Sequence, residues 1–114
     1  MLALHGSYGR GIVERCRLLA RSGLVALGLR WHGNEGRPSG TCEILIETFT
    51  RALDLLRDAG LKRLCVLGLS KGAEAALWLS DLDRRIDVVV ALSPTFVAWQ
   101  NLGQRLFRPT GGVW

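Results

Sequence analysis

The sequence predicts an α/β fold, with about four parallel strands and helices on both faces of the sheet. Three observations point there. Four short apolar runs (Met1–Leu4, Leu24–Leu27, Leu64–Leu67 and Ile86–Leu92) alternate with segments of helical periodicity. The runs are apolar at successive positions, the pattern of strands buried on both faces. Glycine-rich segments follow the first three runs, where a chain leaving a strand must turn sharply.

Taken in order, Met1–Leu4 ends at the turn His5-Gly6-Ser7-Tyr8-Gly9-Arg10-Gly11. The next segment places Ile12, Val13, Cys16, Leu19 and Ala20 on one helical face and Arg15, Arg17 and Arg21 off it, with Gly23 at C′. Leu24–Leu27 is the second strand, and a polar loop follows from Arg30 to Gly40, through Trp31, His32 and Gly33. Thr41 is placed to cap a long helix with apolar positions Leu45, Phe49, Ala52, Leu53 and Leu56, ended by Gly60. The third strand, Leu64–Leu67, runs directly into Gly68. Ala73–Leu79 reads as a helix and Ile86–Leu92 as the fourth strand, left through Ser93-Pro94.

Right-handed crossovers place the loops after all four strands along one edge of such a sheet. Ligands of open parallel sheets bind outside the carboxyl ends of the strands. The segments beginning at His5, Gly28 and Gly68, and the Ser93-Pro94 exit, are therefore expected to line one mouth.

A chain of 114 residues suffices for one compact domain and not for two. Hydrophobic residues at 48% and charged residues at 22% are ordinary for a globular protein. No apolar run approaches the roughly 18 residues of a membrane span, and the N-terminal residues lack the pattern of a signal peptide. A cytoplasmic location is expected. Cys16, Cys42 and Cys65 are too far apart for a C-x-x-C metal or redox centre, so no metal site is expected. The net charge of +5 is compatible with a phosphate-bearing substrate. The basic residues are scattered, without the stripe that nucleic-acid binding requires.

The chemistry concentrates at Gly68-Leu69-Ser70-Lys71-Gly72. A serine hydroxyl is a weak nucleophile and must be exposed, approached by a base and faced by oxyanion donors. A sharp strand-to-helix turn exposes it, and glycines on both sides keep that cramped turn free of side chains. The following helix directs its N–H groups and positive dipole end at the reaction centre. Ser70 is thus the candidate nucleophile. The N–H of Lys71, with that of Ser7 or Tyr8 from the first loop, forms the candidate oxyanion hole. The competing reading makes Ser70 a helix N-cap with no chemistry.

Gly68-Leu69-Ser70-Lys71-Gly72-Ala73-Glu74, with Val90-Ala91-Leu92-Ser93-Pro94-Thr95 and Trp99, resembles the catalytic domain of acyl-CoA thioesterases and bile acid-CoA:amino acid N-acyltransferases. That family has the α/β-hydrolase fold, and the resemblance extends from about Leu2 to Leu102. It implies an acyl-CoA or related acyl thioester substrate, an acyl-enzyme intermediate at Ser70, and no metal or redox cofactor. Conjugating members carry cysteine at the Ser70 position and thioesterases carry serine, so hydrolysis is favoured over acyl transfer. His5 and Glu74 are candidate supporting residues, His5 behind the oxyanion loop and Glu74 in the first helical turn. His32, one strand further away, is expected in a loop or at the pocket rim.

The resemblance also marks a gap. In this fold the triad runs Ser, then Asp or Glu, then His along the chain, and no histidine follows Ser70. Asp81, Asp83 and Asp87 come too early for the family's acid. Residues 1–114 therefore read as the middle portion of an α/β-hydrolase catalytic domain, without the flanking strands or the acid and base. The fourth strand is then an exposed edge that invites self-association, and Phe96, Val97, Trp99, Leu106 and Phe107 lack part of their packing. Two alternatives stand beside the hydrolase. One is a non-catalytic remnant or interaction module. The other is an NADP-binding α/β domain using Gly6–Gly11 and Arg30, although the glycine spacing departs from G-x-G-x-x-G.

Overall fold

The computed structural model describes residues 1–38, 40–41 and 44–95. Its elements are β1 (Leu2–Leu4), α1 (Ile12–Arg21), β2 (Leu27–Leu29), α2 (Glu47–Asp58), β3 (Leu64–Leu69), α3 (Lys71–Leu82) and β4 (Ile86–Leu92). The four strands form one all-parallel sheet in the order β2-β1-β3-β4, so the fold is α/β as expected. The register pairs Leu2 with Leu27 and Val66, and Leu4 with Leu29 and Gly68. These residues share one face of the sheet with Leu64. That face meets Phe49, Ala52, Leu53 and Leu56 of α2 and Ala75, Ala76 and Leu79 of α3 in the main core. Helix α1 lies on the opposite face, against β1 and β2.

The first helix ends as expected. Gly23 has φ of +81°, its N–H donates to Ala20 O, and the Leu24 N–H donates to Leu19 O. This is a Schellman closure, and it corrects the second strand. Leu24 is engaged in ending α1 and Val25 is exposed, so pairing begins only at Leu27, whose N–H donates to Met1 O. Gly28 is consequently a strand residue and not the start of a loop. Its missing side chain is what lets α1 sit down: a Cβ there would lie 2.8 Å from Ile12 Cγ1 and 2.9 Å from Cys16 Sγ.

The third predicted element also shifts. Thr41 is buried and caps nothing, while α2 begins at Glu47 behind Ile46, which supplies no side-chain cap bond. Leu45 precedes the helix and is exposed, whereas Phe49, Ala52, Leu53 and Leu56 are buried as their spacing predicts. Gly60, at φ of +87°, closes the helix. Strand β3 extends two residues beyond the predicted run, through Gly68 to Leu69. Helix α3 is longer than its predicted core at both ends, and β4 has the predicted bounds.

Strand β4 stands at one edge of the sheet. Val88, Val90 and Leu92 share the α1 side of the sheet with Cys65 and Leu67, beyond the reach of α1, and are exposed. Arg85 ties the start of β4 to α2, pairing with Asp83 at 2.6 Å and with Asp54. The hydrogen bonds from Arg85 hold the Asp83 carboxyl below its ordinary pKa. Cys16 and Cys65 are free, half-buried thiols whose pKa values burial raises. Cys42, Phe96, Val97, Trp99, Leu106 and Phe107 lie outside the described residues.

Candidate functional site

Ser70 occupies the junction of β3 and α3 with φ of +52° and ψ of −117°. An L-residue avoids this region because its Cβ meets neighbouring backbone; holding one there costs about 1–3 kcal/mol. The turn that imposes it is pinned on both sides. The Ser70 N–H donates to Leu92 O at 2.8 Å, and Ser70 O accepts from the N–H groups of Ala73 (2.8 Å) and Glu74 (3.2 Å). Ser70 stands where an N-cap would, yet its hydroxyl makes no cap bond and its residue is exposed. An ordinary N-cap has extended dihedrals, and its side-chain oxygen accepts a hydrogen bond from an N–H of the first helical turn. The capping reading therefore does not describe this serine.

The flanking glycines are required by contact. A Cβ on Gly68 would lie 2.0 Å from Gly72 O, and one on Gly72 would lie 2.5 Å from His5 O and 2.8 Å from Leu4 O. A Cβ on Gly6 would lie 3.0 Å from Leu69 O and 3.2 Å from Ser70 Cβ. The end of β1, the end of β3 and the first turn of α3 thus meet backbone to backbone, which sets the first loop directly beside Ser70.

A pocket of about 680 Å³ opens there, lined by Gly6, Ser7, Tyr8, Gly9, Arg10, Leu69, Ser70 and Ser93. Three of the four segments expected at one mouth line it: the first loop, the elbow and the β4 exit. Ser93 carries the second positive φ of a non-glycine residue, +53°. Lys71 and Gly72 stand in the first turn of α3, the end of a helix toward which its positive dipole is directed. Arg10 adds a positive charge at the rim. A larger groove, about 900 Å³, runs between α1 and β2 and does not include Ser70.

The two histidines take places behind this pocket. His5 is fully buried, and its Nδ1 donates to the Gly6 carbonyl at 2.9 Å, which fixes the Nδ1–H tautomer because a carbonyl only accepts. His32 is buried too, correcting its expected place at a rim. The rings of His5, Trp31 and His32 form one cluster, with centroids 5.6 Å apart for His5–Trp31 and 4.6 Å for the other two pairs. Burial lowers both histidine pKa values, and Arg30 and Arg15 lower that of His5 further. Both imidazoles are therefore neutral at pH 7. Neither lines the pocket.

Glu74 is also placed behind the elbow. It forms a buried ion pair with Lys71 at 2.7 Å and accepts a 2.5 Å hydrogen bond from Thr95 Oγ1. It joins the first turn of α3 to the segment leaving β4, which is more than the dipole contact its position alone implies. Trp31 and Thr95 were not among the sequence-derived site residues. Trp31 Nε1 donates to His5 O at 3.2 Å, a contact between loops 26 residues apart that local patterns do not encode. Among the described residues no group of three or more His, Cys, Asp or Glu side chains could hold a metal ion. No helix among them is long and apolar enough to cross a membrane.

No protein-family model matches the chain, and neither a curated protein nor a solved structure matches it. The resemblance to acyl-CoA thioesterases and amino acid N-acyltransferases accordingly rests on the residues quoted above.

Proposed function

We propose that this chain carries the nucleophile half of a serine hydrolase of the α/β-hydrolase type. Ser70 would attack an acyl thioester, with acyl-CoA the favoured class, and form an acyl-enzyme. The observation that carries the reading is the strained, exposed backbone of Ser70 at +52°, −117° between a parallel strand and a helix. Strain of this kind at a pocket is hard to account for as packing, because a glycine would remove it. The N–H groups of Lys71 and of Ser7 or Tyr8 are the oxyanion donors in this reading. Serine at this position favours hydrolysis over transfer to an amine.

A second reading has an observation of its own. The pocket lining holds no His, Asp or Glu side chain, so the residues described supply Ser70 with no general base. A binding or interaction module built on the same fold is consistent with that. Self-association through β4 accompanies either reading, since among the described residues no strand pairs with its outer edge and Val88, Val90 and Leu92 are exposed.

Release of free CoA from a medium-chain acyl-CoA, compared between the chain and its Ser70→Ala variant, separates the readings. Release that disappears in the variant is the expected result. Equal release from both removes Ser70 as nucleophile, and no release from either favours the non-catalytic module.

A further inference from the structure

We propose that Ser93 is a substrate-contacting residue of the pocket at Ser70, and that Glu74 and Thr95 are positioning residues that hold it there. The inference rests on the hydrolase reading of Ser70 and adds to it a class of substrate, one with a hydrogen-bonding group beside the reacting carbon.

Among the described residues only Ser70 and Ser93 combine a side chain with a positive φ, +52° and +53°. Both line the same pocket. Glycine occupies this region of backbone freely, and asparagine more readily than serine. A serine at the β4 exit therefore carries a strain that glycine would not, and what it brings is a hydroxyl. Ser93 is exposed, and no hydrogen bond among the described residues engages that hydroxyl.

Strained backbone persists only where its surroundings over-determine it. Here two hydrogen bonds to the elbow segment bracket Ser93. On its N-terminal side, Leu92 O accepts from the Ser70 N–H at 2.8 Å. On its C-terminal side, Thr95 Oγ1 donates to Glu74 Oε1 at 2.5 Å. Glu74 is itself fixed, because its other oxygen pairs with Lys71 Nζ at 2.7 Å and both side chains are only 7% exposed. The candidate nucleophile and the first turn of its helix thus grip the chain on either side of Ser93. A buried ion pair adds little net stability, since desolvation offsets the attraction. What it supplies here is a fixed place. Thr95 stands two residues beyond Ser93, so a shift of Thr95 moves the pocket wall.

The rest of the lining suits the same class of substrate. Ser7, Tyr8 and Arg10 of the first loop bring two hydroxyls and a guanidinium, and Leu69 is the one aliphatic side chain. A bare alkyl chain would displace water from these groups without replacing its hydrogen bonds, whereas an amide can both donate and accept among them.

The test labels Ser70 with two alkyl fluorophosphonates of equal length, one plain and one with an amide near phosphorus. In both, the Ser70 Oγ–P bond forms as the P–F bond breaks, fluoride leaves and the hydroxyl proton passes to buffer base. The quantity read is the ratio of labelling rates, amide over plain, from intact-mass spectra. Ser93→Ala is expected to lower that ratio on the order of threefold to tenfold, the loss of one net hydrogen bond. Thr95→Val should lower it in the same direction, and Thr95→Ser should restore it. Combining Ser93→Ala with Thr95→Val should add little to Ser93→Ala alone. A merely structural clamp would slow both probes alike and leave the ratio where it was.

An unchanged ratio in Ser93→Ala overturns the contact, and an unchanged ratio in Thr95→Val overturns the positioning role. If the unmodified chain does not label at Ser70, the hydrolase reading fails, and the contact is decided by titrating the ¹⁵N-labelled chain with N-butylacetamide. A Ser93 amide resonance that shifts together with that of Ser70, and by less in Ser93→Ala, keeps Ser93 as a ligand-binding residue. An unmoved Ser93 resonance overturns it.

Discussion

At the carboxyl ends of β1 and β3 the backbones approach so closely that side chains are excluded, whereas along β4 large apolar side chains extend into solvent. Gly6, Gly68 and Gly72 occupy positions where a Cβ would come within 2.0–3.2 Å of another segment. Val88, Val90 and Leu92 are 44%, 37% and 45% exposed. The first region has sacrificed conformational freedom, holding Ser70 at a positive φ where the backbones meet. The second has apolar area to bury along β4 itself. Strength of hydrophobic pattern and tightness of packing are therefore separate properties here, and the tight region is the one with chemical potential.

The comparison is tested most severely by one substitution to alanine in each region. Gly72→Ala drives a Cβ into the carbonyls of His5 and Leu4, both backbone atoms that cannot rotate away. A loss of about 3 kcal/mol or more is expected, visible as a large drop in urea midpoint. Val88→Ala, which removes atoms from the exposed face, should cost below about 1 kcal/mol. Comparable losses for the two would show that the elbow packs no more tightly than the edge.

These contrasts explain how much was legible beforehand. The parallel α/β class, β4, the buried spacing of α2 and the elbow were all readable, because each is written in periodicity or in glycines at fixed offsets. Strand β2 begins three residues later than expected because Leu24-Val25 looks like a strand but is spent on closing α1, while Gly28 looks like a loop but is a seat for Ile12 and Cys16. Thr41 matched a capping pattern and proved to be a buried loop residue. At the site, the glycine-rich first loop and the strand-to-helix turn at Ser70 were legible in local sequence, and the structure brings both to one pocket. The Trp31–His5 hydrogen bond and the Glu74–Thr95 contact join segments 26 and 21 residues apart, and nothing in either segment alone announces them.

A smaller effect, of opposite sign, follows from the strain at Ser70. Glycine adopts +52°, −117° without a Cβ clash, so Ser70→Gly should relieve part of the roughly 1–3 kcal/mol held there. Glycine also loses more entropy on folding, by about 0.5–1 kcal/mol. A net gain on the order of 1 kcal/mol is expected in equilibrium unfolding. A loss of stability would mean that the serine hydroxyl contributes to the fold, and the case for a functional strain would weaken with it.

The smallest effect on stability, and the most informative for the other region, is expected from Val90→Lys. The Val90 side chain is on the exposed face of the edge strand, so a lysine there displaces little buried contact, and a change within about 0.5 kcal/mol is expected. Its effect on association should be larger. Edge strands are kept from pairing by lysines, and β4, with sequence Ile86-Asp87-Val88-Val89-Val90-Ala91-Leu92, has none. Its single charge, Asp87, is already engaged as acceptor of the Leu64 N–H at 2.7 Å. The unmodified chain should therefore melt at a temperature that depends on protein concentration and sediment partly as a larger species. Val90→Lys should melt independently of concentration and sediment as a monomer. If the unmodified chain already does both, the exposed face of β4 is no more than a tolerated apolar surface, and the contrast between the two regions reduces to the packing at the elbow.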